Sequence, residues 1–311
     1  MIADKFIENC LLVYSKTSAI KLIKFFNPEM FANRIEVNSM TDYRDLSKYI
    51  NKYKVIFGFG GGTAIDIAKY IAFHSKAKCI AIPTMLSTNV FSTNKTCVKF
   101  DGVKSTEQSL IPKVILDKNI LNFSKIENLY GLVDILSIYT ASKDWYIADK
   151  NKIESIEPKI MQDSQKILDC ALNFDIKSND WEFLYKIICA SGCLTNDYGS
   201  GRPESGSEHI FSKYLEERLK IPHAVGVSIG IVAMSNINGG YQKDKKYYQV
   251  LNKLKETQIF DKARELGVSF QDVRAVLSII EPRKDRYTRL NTIDIDLEKT
   301  LGGIANEIEL C

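Results

Sequence analysis

A parallel-sheet α/β domain followed by an all-helical domain is the fold that this 311-residue chain predicts, and three observations predict it. Short apolar runs alternate with helix-spaced segments as far as about Leu121. A glycine cluster, Gly58-Phe59-Gly60-Gly61-Gly62, joins the third of those runs to a helix. Beyond Leu121 the strand pattern stops and only amphipathic helical spacing continues. Alternation of this kind argues for a parallel sheet covered on both faces, with a first domain over 1–121 and a second over 122–311.

Taken in order, CLLVYS (Cys10 to Ser15) is an apolar run suited to a buried strand, and TSAIKLIKFF after it has helical periodicity. RIEVNS (Arg34 to Ser39) reads as a second strand, followed by a helix near Tyr43 to Asn51. KVIFGFG (Lys54 to Gly60) is the third and runs directly into the helix GGTAIDIAKYIAFH. KCIAIPT (Lys78 to Thr84) and KVILDK (Lys113 to Lys118) are further strands, with a pair of strands between them around Thr96 to Val103. The helical remainder is expected to break at Pro158, Ser178–Asp180, the GSGRPESGSE loop, Pro222, Gly239–Gly240 and Pro282.

Bulk composition bounds the function. Hydrophobic residues at 45% and charged residues at 26% are ordinary for a globular protein, so a large core is expected. The net charge of +4 is spread along the chain, which gives no support to a nucleic-acid partner. The seven cysteines form no CxxC pair, so reduced thiols in a cytoplasmic protein are expected. The apolar run Ala224 to Met234 is far too short to span a membrane, and the acidic N-terminus is unlike a signal peptide.

The glycine cluster lets the backbone approach a pyrophosphate closely, with free N–H groups at the helix start aimed at the anion. The same cluster also suits a tight strand-to-helix turn with no ligand. Of the three histidines, His209 and His223 lie in one stretch, Arg202 to Gly230, 14 residues apart. In one straight helix that separation is roughly 21 Å, so the chain must turn between them, and Lys220-Ile221-Pro222 breaks the helix. Taken singly, each histidine reads as a polar helix residue. A carboxylate from Tyr130 to Trp145 would complete three protein ligands with an open position, the arrangement of a catalytic divalent metal.

Four segments then resemble a known superfamily. GGGTAIDIAK (Gly60 to Lys69) is similar to the GGGSxxDxAK signature of iron-containing alcohol dehydrogenases, glycerol dehydrogenases and dehydroquinate synthases. AIPTMLSTNVFST (Ala81 to Thr93) is similar to the IPTTxSxxxxxS segment that follows there. SGRPESGSEH and GLVDILSIYTASKDW resemble the SRPxSGxEH and GxxDxxxxxTAxxDW segments of glycerol-1-phosphate dehydrogenases. The resemblance implies a dinucleotide-binding first domain and a second domain with the metal and substrate site. It implies NAD or NADP held by Gly60, Gly61, Gly62, Thr63, Asp66, Thr84, Ser87, Asn89 and Ser92. It implies one divalent metal, zinc before nickel or iron, on Asp134, His209 and His223, in a cytoplasmic protein that acts on a small phosphorylated polyol or ketone and is compatible with homo-oligomerisation.

The expected activity is a dehydrogenase interconverting sn-glycerol 1-phosphate and dihydroxyacetone phosphate, with Arg202 and Lys213 as cations for the phosphate and Lys213 also among the catalytic residues. A sugar-phosphate cyclase using NAD transiently and a relative without catalysis are the alternatives. The chain departs from the resembled pattern in having Lys213 for a second histidine, Ala224-Val225 after His223 in place of a Gly-Glu pair, and Ser87-Thr88-Asn89-Val90 for SHDG. Asn38-Ser39 at the end of the second strand leaves NAD and NADP undecided.

Overall fold

The computed structural model describes residues 8–23, 27–237 and 243–311. The chain divides into two units, Met1–Leu129 with Asn179–Asn196, and Tyr130–Ser178 with Asp197–Cys311.

The first unit is built on five parallel strands: β1 (Cys10–Ser15), β2 (Arg34–Val37), β3 (Val55–Gly60), β4 (Lys78–Pro83) and, after a hairpin of β5 (Lys95–Phe100) and β6 (Val103–Gln108), the two-residue β7 (Lys113–Val114). Their order is β2-β1-β3-β4-β7, every neighbouring pair parallel, while β5 and β6 pair antiparallel in a separate ribbon. Successive β1 side chains explain why the strand is apolar throughout. Leu11 and Val13 join one core with Ile56, Ile67, Ala68 and Ile71, and Leu12 joins another with Phe59 and Ile120, so both faces are covered.

Helices α1 (Lys16–Leu22) and α2 (Gly62–Ser75) follow β1 and β3, and a four-residue α3 spans Lys118–Leu121. Two expectations shift. The segment Tyr43–Tyr49 is a 3₁₀ helix, and KVILDK contributes only Lys113–Val114 as strand, because Asp117 caps α3 through the N–H groups of Asn119 and Ile120.

Helix α4 (Lys125–Leu136) carries the chain from the first unit into the second, which contains α5 (Ile138–Lys150) and α6 (Pro158–Leu172). Pro158 starts α6, where its missing N–H costs nothing. Helix α7 (Trp181–Tyr198), expected in the second domain, gives residues 181–196 to the first unit. Next come α8 (Ser207–Leu219), α9 (His223–Asn236), α10 (Lys245–Glu256), α11 (Ile259–Glu265), α12 (Phe270–Ile279) and α13 (Leu297–Ala305). No strand follows Val114 among the described residues. The break expected at Gly239–Gly240 lies outside them, as does the end of the helix expected over 17–26.

Helix α9 is buried from Ala224 to Asn236, which makes it the central element of the second unit. It carries Gly226 and Gly230 one turn apart, facing α8. A Cβ on Gly226 would overlap Ser212, and one on Gly230 would lie 2.5 Å from the carbonyl oxygen of Glu208. The two backbones therefore approach more closely than any larger side chain permits. That approach sets the histidine at the start of each helix against the other. Among the described residues no helix is long and apolar enough to cross a membrane.

Candidate metal centre and nucleotide turn

In the first unit the glycine turn stands at the carboxyl ends of β1, β3 and β4, beside the point where the strand order reverses. Gly60 has φ +151°, and a Cβ there would lie 2.9 Å from the Cβ of Ala64. Gly61 precedes α2 without a side-chain cap, so the first-turn N–H groups are not taken by a capping side chain. The Ser18 hydroxyl bridges Ser15 Oγ at 2.7 Å and Thr84 Oγ1 at 3.1 Å. Met85 and Thr88 lie across the turn, close enough that a Cβ on Gly61 or Gly62 would touch them. Thr63 is exposed, and Ser87 and Asn89 are half-buried.

Two residues expected at the cofactor are hydrogen-bonded within the first unit. Asp66 Oδ1 accepts from the Thr96 hydroxyl at 2.8 Å and the Cys97 N–H at 3.1 Å, tying α2 to β5. Ser92 is buried, donates to the Asn89 carbonyl, and lies against Gly192 of α7, whose neighbour Asn196 holds its carbonyl. Lys69 completes this scaffold. Its fully buried ammonium reaches the carbonyls of Val90 at 2.7 Å, Thr93 at 2.9 Å and Lys95 at 2.5 Å. Burial lowers its pKa to about 8, against the opposing pull of Asp66. Lys69→Met is expected to cost about 3 kcal/mol, since carbonyls left without a partner in the interior lose their full hydration; urea unfolding checks it.

In the second unit Asp134 on α4, His209 near the start of α8 and His223 at the first position of α9 converge. Each offers one donor atom, and the three atoms lie within 4.8 Å of one another. His209 Nε2 is 3.2 Å and His223 Nε2 3.5 Å from Asp134 Oδ1, and the two rings are 5.2 Å apart. Each Nδ1 is engaged by a carboxylate, His209 by Glu208 at 2.7 Å and His223 by Glu216 at 2.6 Å. With Nδ1–H donated outward, Nε2 is in each ring the nitrogen that faces the aspartate, and loss of its proton opens a lone pair to a metal. That is a donor set of two neutral imidazoles and one carboxylate, each imidazole backed by an acceptor, and it suits a divalent transition metal.

Burial opposes protonation of His209, but hydrogen bonds to Asp134 and Glu208 outweigh it and carry its pKa to about 9. The same opposition, with Asp134 and Glu216 as acceptors, carries His223 to about 10. Asp134 is drawn the other way. Burial would raise its pKa, yet the two imidazoles hold it well below the carboxylate range.

The loop before α8 is fixed by Asp144, whose carboxylate accepts from the N–H groups of Ser207 at 2.6 Å and Arg289 at 2.9 Å. Gly206 fits there because a Cβ would meet the Asp144 carboxylate and the Cα of Ala141. Arg202, expected as a cation for the phosphate, is buried. It is 1% exposed, pairs with Glu154 at 3.1 Å, and donates through Nη2 to the carbonyls of Tyr287 at 2.9 Å and Asp144 at 3.3 Å. Arg202→Met is therefore expected to cost about 3 kcal/mol of stability in urea unfolding, with the KM for a phosphorylated substrate changed by less than about threefold, as the group is buried away from solvent. Lys213, one turn after His209, is exposed with Glu217 4.0 Å away.

Two contributors escaped the sequence reading. Glu208 directly precedes its histidine, so adjacency was an available signal. Glu216 is seven residues before His223, across a helix end, and only the turn at Lys220–Pro222 brings it back.

The iron-containing alcohol dehydrogenase family model matches residues 15–124. A glycerol-1-phosphate dehydrogenase [NAD(P)+] of Saccharolobus islandicus is 30% identical over 89% of this chain and 82% of its own length. One of Methanobrevibacter smithii is 28% identical over 88% and 80%. Among solved structures, a 1,3-propanediol oxidoreductase superposes with TM-score 0.65 at 13% identity, over 99% of this chain and 94% of the other. An iron-containing alcohol dehydrogenase of Corynebacterium glutamicum gives 0.64 at 13%, over 99% and 90%. The structural likenesses speak for the fold. The sequence relatives establish that the chain belongs to the iron-containing alcohol dehydrogenase superfamily, as a glycerol-1-phosphate dehydrogenase-like member.

Proposed function

We propose that the protein reduces dihydroxyacetone phosphate to sn-glycerol 1-phosphate with NADH or NADPH, at a divalent metal held by Asp134, His209 and His223. Oxidoreductase chemistry with a nicotinamide cofactor comes with the family; the substrate and the metal are the proposal. The observation that carries it is the convergence of three donor atoms from three helices within 4.8 Å, with both Nδ1 positions occupied by carboxylates. When bound, a divalent cation supplies Lewis-acid polarisation of the substrate oxygen, and the nicotinamide supplies the hydride.

The chain's own residues do the rest. Glu208 and Glu216 hold the imidazoles in one tautomer. The open turn at Gly60–Gly62 presents backbone N–H groups to a pyrophosphate, steadied by Ser18 and Thr84. Lys213, exposed on the helix that carries His209, is the cation proposed to meet the substrate phosphate.

The test is to follow loss of reduced-nicotinamide absorbance in chelator-stripped and zinc-, nickel- or iron-restored protein, with dihydroxyacetone phosphate and each cofactor in parallel. Oxidation in stoichiometric amount, lost on stripping and regained on restoring metal, is the expected result. Metal-replete protein that oxidises neither cofactor sinks the substrate assignment. Product formed without net oxidation would instead identify a cyclase.

A further inference from the structure

We infer that Glu216 is a positioning residue for the metal centre, fixing His223 so that Nε2 is the nitrogen offered to a divalent cation; this rests on the metal reading above. His223 is the first residue of α9, preceded by Pro222 and followed by Ala224 and Val225, so its own segment offers no side-chain acceptor. The orientation comes from α8. Glu216 Oε1 lies 2.6 Å from His223 Nδ1, and a carboxylate only accepts, so Nδ1 carries a proton and Nε2, which faces Asp134 Oδ1 3.5 Å away, is the nitrogen that a cation can claim in exchange for its proton.

Glu216 is itself held. The Ser212 hydroxyl donates to the same Oε1 at 2.8 Å, and Ser212 is fixed at the close approach to Gly226. The chain Ser212–Glu216–His223 therefore carries the α8–α9 packing into the position of one donor nitrogen. His209 obtains the same support from its sequence neighbour Glu208, at 2.7 Å. Without Glu216, His223 would populate both tautomers and lose an anchor of its ring.

The experiment measures zinc Kd for the full-length, chelator-stripped protein by competition with a chromophoric chelator, comparing wild type, Glu216→Gln and Glu216→Ala. Alanine is expected to weaken zinc binding by about 10- to 100-fold, with any fall in melting temperature measured separately. Glutamine, whose amide oxygen still accepts from Nδ1–H, is expected to recover part of that loss. A merely structural role would lower the melting temperature and leave Kd alone. Should alanine fail to fold, the near-isosteric glutamine variant carries the test with a loss of about 3- to 10-fold. Wild-type Kd in the folded variants overturns the inference. A wild-type protein that takes up no zinc, nickel or iron overturns the metal reading itself, an outcome plainly different from equal affinities.

Discussion

Asp134→Ala is expected to lower kcat/KM for dihydroxyacetone phosphate reduction by on the order of 10³-fold or more, with zinc content falling in step. The size follows from the geometry. Asp134 Oδ1 is the one anionic donor of the three and the atom both imidazoles face, at 3.2 and 3.5 Å. Removing it leaves two neutral nitrogen donors and takes away the charge that balances a dication. The folding cost is expected to be only about 1–2 kcal/mol, because the carboxyl retains 20% exposure and the two histidines can shed their protons once their shared acceptor is gone. Activity and stability therefore separate in this variant. Metal analysis with steady-state kinetics on one preparation checks it, and an Asp134→Ala protein that keeps metal and activity within tenfold of wild type would remove Asp134 from the centre.

The part of this architecture that the sequence discloses is the part encoded locally. The strands β1, β3 and β4 are apolar on every residue that matters, and Gly60–Gly62 sit where strand passes into helix, so periodicity and glycine chemistry suffice. The two histidines are legible as a pair because Pro222 breaks the helix between them. What the sequence does not disclose depends on contacts across helices.

Arg202 reads as a cation for a substrate phosphate, and nothing in its own segment announces its partners Glu154 and the carbonyls of Asp144 and Tyr287, the last 85 positions away. Asp66 is read as a cofactor residue, and that β5 presents Thr96 and Cys97 to it is not legible in its own segment. Gly226 and Gly230 look like helix-weakening residues, and their use becomes visible only when α8 is laid against them. In each case the deciding neighbour is remote in the chain, and neither spacing nor propensity carries that information. The same holds for α7, whose helical pattern is plain but whose packing on the sheet-bearing unit is not.

Metal uptake is expected to be strongly proton-coupled, releasing two protons per cation near pH 7.5. In the metal-free protein His209 and His223 hold their second protons up to about 9 and about 10, each on Nε2 facing Asp134, and a cation must displace both. Below about pH 9 the apparent affinity should therefore rise about 100-fold per pH unit, then about tenfold per unit to pH 10, and level off above that. The linkage to folding has the opposite sense. Both folded pKa values stand above the ordinary histidine value of 6.5, so the stabilisation they give the metal-free protein is complete below pH 6.5 and is lost as pH rises through 9 and 10. Zinc binding thus takes over the task of holding Asp134, His209 and His223 together as alkalinity removes the protons that did so. Calorimetric titration of zinc at pH 7.5 in buffers of differing ionisation enthalpy counts the protons, and thermal melts of stripped protein from pH 6 to 10 follow the stability. A proton count near zero, with melting temperature flat across that range, would mean the imidazoles are already neutral and that Asp134 does not bind them through Nε2–H.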